Sequence, residues 1–237
     1  MPVDFAAVTD DGNDLPSTVR KAARAVCQLK TADSRATTAT NVAKNLVLTA
    51  GHTMQHWQNA VLMLAVYNLR TDRDPNSREV FGLAPRPHGG EFFYSTGPTK
   101  GGGPTVETLN DETHMEFAIC QARQNRSGDY SGNAPRGFVS VAPPPHGTLA
   151  QEQVFLVAHQ GVSTPFQVFS IGALTRVGKF FFCHSTAAGH GDSGAPLFDI
   201  DGNLIGIHLA DPGGVKIACR ADKILEAMTA KSPGVWT

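Results

Sequence analysis

In the segment Gly191-Asp192-Ser193-Gly194 two glycines lie on either side of a serine. Glycine lets a backbone turn sharply and brings its N–H groups close to a bound carbonyl. That combination suits a hydroxyl that attacks a carbonyl carbon, with neighbouring N–H groups holding the oxyanion that results. A serine hydroxyl needs a base to take its proton. His52, which ends Leu46-Val47-Leu48-Thr49-Ala50-Gly51-His52, offers a neutral imidazole able to do so at physiological pH. Alone, the first segment also reads as an ordinary tight turn and the second as a solvated histidine. Together they describe a nucleophile and its base.

The elements that position them are short. The chain has 237 residues, enough for one substantial domain or two small ones that share an interface. Hydrophobic residues make up 41% of it, and 24 glycines and 15 prolines cut it into brief segments, which favours an all-β fold. Apolar or β-branched runs at 25–30, 36–42, 45–49, 61–67 and 116–120 predict one set of strands, with Leu46-Val47-Leu48 the clearest. Runs at 153–157, 166–171, 178–182 and 204–208 predict a second. Between the sets, residues 126–136 are rich in Gly, Ser, Asn and Pro and read as a linker. Ile224, Leu225 and Met228 recur at helical spacing, so 221–237 reads as a closing helix and tail. The resulting division is an N-terminal arm at 1–19, in which Ser17 is placed to cap a short helix, a first β-barrel at 20–125, and a second at 137–220. A Gly-rich stretch at 84–112, with one aromatic strand at Phe92-Phe93-Tyr94, reads as a surface insertion into the first barrel.

Leu46-Val47-Leu48-Thr49-Ala50-Gly51-His52 and Gly191-Asp192-Ser193-Gly194-Ala195-Pro196-Leu197 resemble the histidine and serine boxes of the trypsin/chymotrypsin family, in that family's order. The resemblance extends over about 26–230, because Gly213-Gly214-Val215-Lys216 and the helix after it look like the last strand and terminal helix of those enzymes. It implies two six-stranded antiparallel β-barrels of chymotrypsin-like form with a C-terminal α-helix, acting as a serine endopeptidase on a protein or peptide substrate. It implies further that Ser193 is the nucleophile, that His52 is the general base, and that the N–H groups of Gly191 and Ser193 form the oxyanion hole. The family carries Asp-x-Ala-Leu or similar where this chain has Glu116-Phe117-Ala118-Ile119, so the resemblance places Glu116 in the orienting role, with Asp111 and Glu112 as the other candidates.

Leu204-Ile205-Gly206-Ile207-His208-Leu209-Ala210 is similar to a segment of glutamyl endopeptidases and of chymotrypsin-like viral polyprotein proteases. There the histidine lies in the pocket for the residue before the cut. An imidazole in that place donates to a Glu carboxylate or a Gln amide oxygen, so cleavage after Glu or Gln is expected, with His208, Leu209 and Ala210 at the substrate. That subgroup has a threonine or serine donor where this chain has Ala187 and Ala188; His190, Thr186 and Lys216 are the candidates to replace it. Ala187 also matches the position where trypsin-like members carry a pocket-base aspartate, so the resemblance implies no carboxylate there to receive Lys or Arg. With no Ile-Val-Gly-Gly start in the sequence, Asp192 is expected either to pair with another group or to cap its own turn.

Twenty Lys+Arg against 21 Asp+Glu give a net charge of −1 without a long basic cluster, so nucleic acid is not an expected partner. The first residues lack the basic-then-apolar pattern of a secretory signal, and no apolar run approaches the ~20 residues of a membrane helix, so a soluble, cytoplasmic protein is expected. Cys27 and Cys120 lie in apolar runs and read as buried thiols, whereas Cys183 and Cys219 leave a bridge open; no spacing suits a metal and no cofactor is expected. The rival readings are a pseudoprotease that keeps Ser193 and His52 for recognition alone, and a serine esterase.

Overall fold

The computed structural model describes residues 15–31, 36–55, 63–67, 79–83, 93–96, 103–133, 135–145, 152–159, 167–189 and 191–232. The strands expected around 61–62, 92 and 166, most of the arm, much of the Gly-rich stretch, the tail at 233–237 and His190 lie outside the described residues.

The chain begins with helix α1 (Ser17–Ala22) and a 3₁₀ turn (Ala23–Ala25), then runs into β1 (Val26–Thr31), β2 (Ala36–Ala43), β3 (Leu46–Thr49) and the single turn of α2 (Gly51–Gln55). Ser17 is not the cap expected of it: Pro16 holds the N-cap position and Ser17 is the first helical residue. Next come β4 (Met63–Tyr67), β5 (Glu79–Gly82), β6 (Phe93–Ser95) and β7 (Ala118–Gln121), forming an antiparallel sheet in the order β5-β4-β1-β2-β3-β7-β6. Seven strands stand where a six-stranded barrel was expected because the fifth is in two pieces: β5 pairs with β4, and β6 pairs with β7. The sheet curls back on itself where Leu83 bridges Ala122 and the Arg123 N–H donates to the Gly82 carbonyl (2.9 Å). The strand expected within the insertion is therefore part of the barrel wall.

The second unit is a closed six-stranded barrel, β10-β13-β12-β11-β8-β9. Its strands are β8 (Gln153–Ala158), β9 (Val168–Val177), β10 (Phe181–His184), β11 (Pro196–Phe198), β12 (Leu204–Ala210) and β13 (Lys216–Arg220), followed by helix α3 (Ala221–Lys231). This two-barrel arrangement with a terminal helix is the chymotrypsin-like fold that the boxes implied.

The apolar runs show little alternation because both faces of these strands are buried. Side chains alternate across a strand, so Val47 enters the first barrel's interior with Leu29, Tyr67 and Phe81, while Leu46 and Leu48 join the cluster between the barrels. In the second barrel Val154, Leu156 and Phe182 point inward, and Phe155, Val157 and Phe181 face that shared cluster. Ile224 and Met228 of α3 pack into it as well. One continuous apolar layer thus fixes the barrels against each other, and the residues facing each other across that seam are held in register.

The linker is tied to the first barrel. Arg136, 4% exposed, pairs with Glu79 of β5, donates to the carbonyls of Ser131 (2.8 Å) and Tyr130 (3.0 Å), and lies over the Phe81 ring. Asn41 of β2 donates to the carbonyls of Ser131 and Gly137 and accepts from the Tyr67 hydroxyl. The chain crosses to the second barrel just beyond, where Val139 bonds Asn41 and Val141 bridges Leu204. All four cysteines are buried and free, so Cys183 and Cys219 are not bridged. Burial pushes the Cys27 thiol up to about 12 and raises those of Cys120, Cys183 and Cys219 as well, which leaves them protonated and unsuited to nucleophilic attack.

Candidate active site

The serine turn is built between the barrels. The Asp192 N–H donates to the Gly189 carbonyl (3.2 Å) with Gly191 at φ +98°, a conformation that favours glycine. The buried Asp192 carboxylate accepts the Gly189 N–H (2.7 Å), so capping its own turn is one of its roles. From the second barrel, the Gly194 N–H donates to the His208 carbonyl and the His208 N–H to the Ala195 carbonyl, both at 2.8 Å. From the first, the Thr38 N–H and the Thr37 hydroxyl both donate to the Ser193 carbonyl. Ser193 is therefore fixed through its backbone by both barrels, and its side chain is left at the seam.

Gly194 permits this approach. It has φ +82°, and a Cβ there would lie 2.2 Å from Thr49 Oγ1 and 2.3 Å from the Thr38 carbonyl oxygen. Gly194→Ala combines left-handed strain with overpacking against backbone, and is expected to cost about 3 kcal/mol. A thermal melt checks it through a Tm lower by roughly 6–12 °C; an unchanged melt would mean the two barrels are not docked through this turn.

β3 ends at Thr49, whose hydroxyl donates to the Thr38 carbonyl (2.8 Å), and the chain turns at once into α2, carrying His52 to the same seam. Its ring is 36% exposed, while Glu116 behind it is 5% exposed. Glu116 Oε1 accepts from the His52 backbone N–H and lies 2.5 Å from His52 Nδ1. One carboxylate oxygen thereby fixes both the main chain and the ring of His52. Gly51 makes room for the acid: a Cβ on it would lie 3.0 Å from Glu116 Cγ and 3.1 Å from the Phe117 N. Phe117 is held in turn by Thr96, whose N–H donates to the Phe117 carbonyl and whose hydroxyl accepts the Phe117 N–H. The other two acids are elsewhere: Asp111 caps the 3₁₀ turn Glu112–His114 by accepting from Thr113, and Glu112 is exposed beside a cleft lined by Met115, Phe117 and α3.

His208 is 3% exposed on β12, and the structure brings a residue to it that sequence reasoning missed. His184, at the end of β10, places Nε2 3.1 Å from His208 Nδ1, and its own Nδ1 lies 2.8 Å from the Thr186 hydroxyl. Burial pushes His208 down to about 4, with Lys216 and His52 acting in the same direction and Asp211 against it. Burial likewise holds His184 well below the usual imidazole range, helped by His208 and Lys216. Both rings are therefore neutral at pH 7. Of the remaining expected pocket residues, Thr186 is fully buried, Lys216 lies 3.9 Å from Asp211 and opposite His184 in the β10–β13 register, and Leu209 is buried beside a half-buried Ala210. The only signal for His184 in the sequence was a histidine ending an apolar run a few residues before the serine box.

A family model described as a trypsin-like peptidase domain matches residues 37–207, more than half of the chain. No curated protein matches the sequence. Among solved structures, a Glu endopeptidase in complex with MPD is similar with a TM-score of 0.66 at 15% identity, over 98% of each chain. Rv3671c from M. tuberculosis, an inactive serine-to-alanine form, is similar with a TM-score of 0.61 at 12% identity, over 97% of this chain and 98% of that one. A second inactive form of the Rv3671c protease gives 0.62 at 12% identity, over 97% and 100%. At these identities the likeness is one of fold.

Proposed function

Because the chain belongs to the trypsin-like peptidase family, we propose that it is a serine endopeptidase that cuts protein or peptide chains after glutamine or glutamate. The observation that carries this reading is the single Glu116 oxygen accepting from both the ring and the backbone of His52, beside a serine turn held by both barrels. With Nδ1–H bound to Glu116, the proton-free nitrogen of His52 is Nε2, the one that can take the Ser193 proton.

Ser193 Oγ attacks the scissile carbonyl as His52 Nε2 takes its proton. The N–H groups of Gly191 and Ser193 hold the oxyanion, and Glu116 stabilises the imidazolium. His52 then gives the proton to the leaving amine, and water repeats the cycle on the acyl-enzyme. In the specificity pocket His208 has Nδ1 engaged by His184, so its Nε2 is left for the substrate side chain. As an N–H donor that atom suits an oxygen acceptor and leaves an aliphatic side chain unmatched.

A peptide-library digest read by mass spectrometry tests the reading. Wild type is expected to cut after Gln and Glu, and His208→Ala to lose that selectivity by at least tenfold, the loss of one buried hydrogen bond to a charged or amide partner. A fluorophosphonate probe should label the wild-type serine. Failure to label would point to a pseudoprotease, and turnover of small esters without any peptide cut to an esterase.

A further inference from the structure

Three adjacent strands of the second barrel, β10, β13 and β12, bring His184, Lys216 and His208 to one end, where Thr186 completes a line of side chains running on from His208. Thr186 Oγ1, the two nitrogens of His184 and Nδ1 of His208 follow one another at 2.8 and 3.1 Å, with the two rings 5.2 Å apart and at 80°. His184, His208 and Thr186 are 4%, 3% and 0% exposed. Gly172 allows the close packing of this corner, since a Cβ there would lie 2.4 Å from the Thr186 N. This is a built array of buried donors and acceptors, well beyond what is needed to fill space.

Every group in the line can act in either direction. A hydroxyl both donates and accepts, and a neutral imidazole has one nitrogen of each kind. In the first direction the Thr186 hydroxyl donates to His184 Nδ1, His184 Nε2–H donates to His208 Nδ1, and His208 presents Nε2–H to the pocket. In the second, His208 Nδ1–H donates to His184 Nε2 and His184 Nδ1–H donates to the Thr186 oxygen. His208 Nε2 is then bare, and a proton taken from solvent makes His208 an imidazolium with both N–H groups satisfied.

Resting on the reading that the pocket receives Gln or Glu, we propose that His184 is a positioning residue whose hydrogen-bond line through Thr186 reverses with the substrate: glutamine is bound with the line neutral, glutamate with the line reversed and one proton added to His208. The proton comes from solvent and returns to it when the product leaves. The groups facing His208 set the balance. From β13 Lys216 opposes the added charge, as does His52 across the seam; Asp211 after β12 favours it; and His184 with Thr186 supplies the acceptor that makes it tolerable. Free His208 titrates near 4, so at pH 6–7 the proton is absent before glutamate binds and is taken up with it.

The test uses Ser193→Ala as a non-cleaving host, with peptides spanning the scissile bond and carrying Gln, Glu or Leu before it. Calorimetry at pH 6.5 in buffers of different ionisation enthalpy counts protons. The Glu peptide is expected to bind with uptake of up to one proton, more at pH 5.5 than at 7.5, and the Gln peptide with none. His184→Phe and Thr186→Val, each close in size to the original, should abolish the uptake and weaken Glu binding about tenfold relative to Gln. Uptake that persists in both variants, or Glu binding without uptake, overturns the relay. Nitrogen-15 spectra of the unliganded host give a second readout, with His208 expected to carry its proton on Nε2; a proton on Nδ1 there would contradict the resting direction. If neither Gln nor Glu is preferred to Leu while those spectra are as expected, the pocket reading fails and the hydrogen-bond line stands as structure only.

Discussion

Ser193→Ala is expected to lower kcat for a Gln- or Glu-containing peptide by about 10⁶-fold, and His52→Ala by a similar factor, while the double variant is no slower than either one. In the proposed mechanism nucleophile and base act as a unit: without the hydroxyl the base has no proton to take, and without the base the hydroxyl is a poor nucleophile. A residual rate about 10³-fold or more above water should survive, because the oxyanion donors and the pocket are backbone and side-chain groups that neither change removes. The Tm of Ser193→Ala should stay close to wild type, since the contacts that fix this turn run through the Ser193 carbonyl, the Gly194 N–H and the Asp192 carboxylate. Single-turnover and steady-state assays on the three variants check the point. Losses that multiply in the double variant would show that the two residues act independently.

The parts of this site that could be read from sequence are those whose chemistry is compressed into a few consecutive residues. Gly191-Asp192-Ser193-Gly194 announces itself because the turn needs glycine at fixed places, as φ +98° at Gly191 and +82° at Gly194 bear out. His52 could be found because it ends a strong apolar run. The two sets of strands were legible too, although the fifth strand of the first barrel was hidden: its two halves are separated by a Gly- and Pro-rich stretch, and pairing of β6 with β7 depends on no local signal. His184 escaped for the same kind of reason. It meets His208 across two sheet partnerships, 24 residues away along the chain, and no motif spans that distance. Arg136 was concealed by its setting in a polar segment, where a lone arginine reads as solvated; the carboxylate of Glu79 and the Phe81 ring, both on β5, with the carbonyls of Ser131 and Tyr130, make it a buried anchor.

Glu116 was legible in place and unusual in kind, and its substitution carries the second large effect. Glu116→Gln keeps the size and the hydrogen-bonding reach but offers an NH₂ group as well as an oxygen. Its amide oxygen in the place of Oε1 still accepts from His52 Nδ1–H and the His52 N–H but carries no charge to stabilise the imidazolium, whereas the amide nitrogen in that place sets a donor against the backbone N–H and moves the ring proton to Nε2, the atom that must receive the Ser193 proton. kcat is expected to fall by about 10⁴-fold with KM nearly unchanged, because the substrate touches neither Glu116 nor Nδ1. A purely structural role would instead lower Tm and move both constants. Glu116→Asp separates geometry from charge. It retains the carboxylate but withdraws it by one carbon from a site where Gly51 has left space for the longer side chain, and where one oxygen serves both His52 Nδ1 and the His52 N–H. A displacement of about 1 Å at an orienting group costs on the order of 10²-fold. The expected ranking is thus wild type, then Asp at about 10⁻² of its kcat, then Gln at about 10⁻⁴. If Asp equalled wild type, the backbone at 51 and 116 would not be adapted to glutamate; if Gln did, an uncharged oxygen would suffice to hold the Nδ1–H tautomer of His52 and the negative charge would not be stabilising the imidazolium.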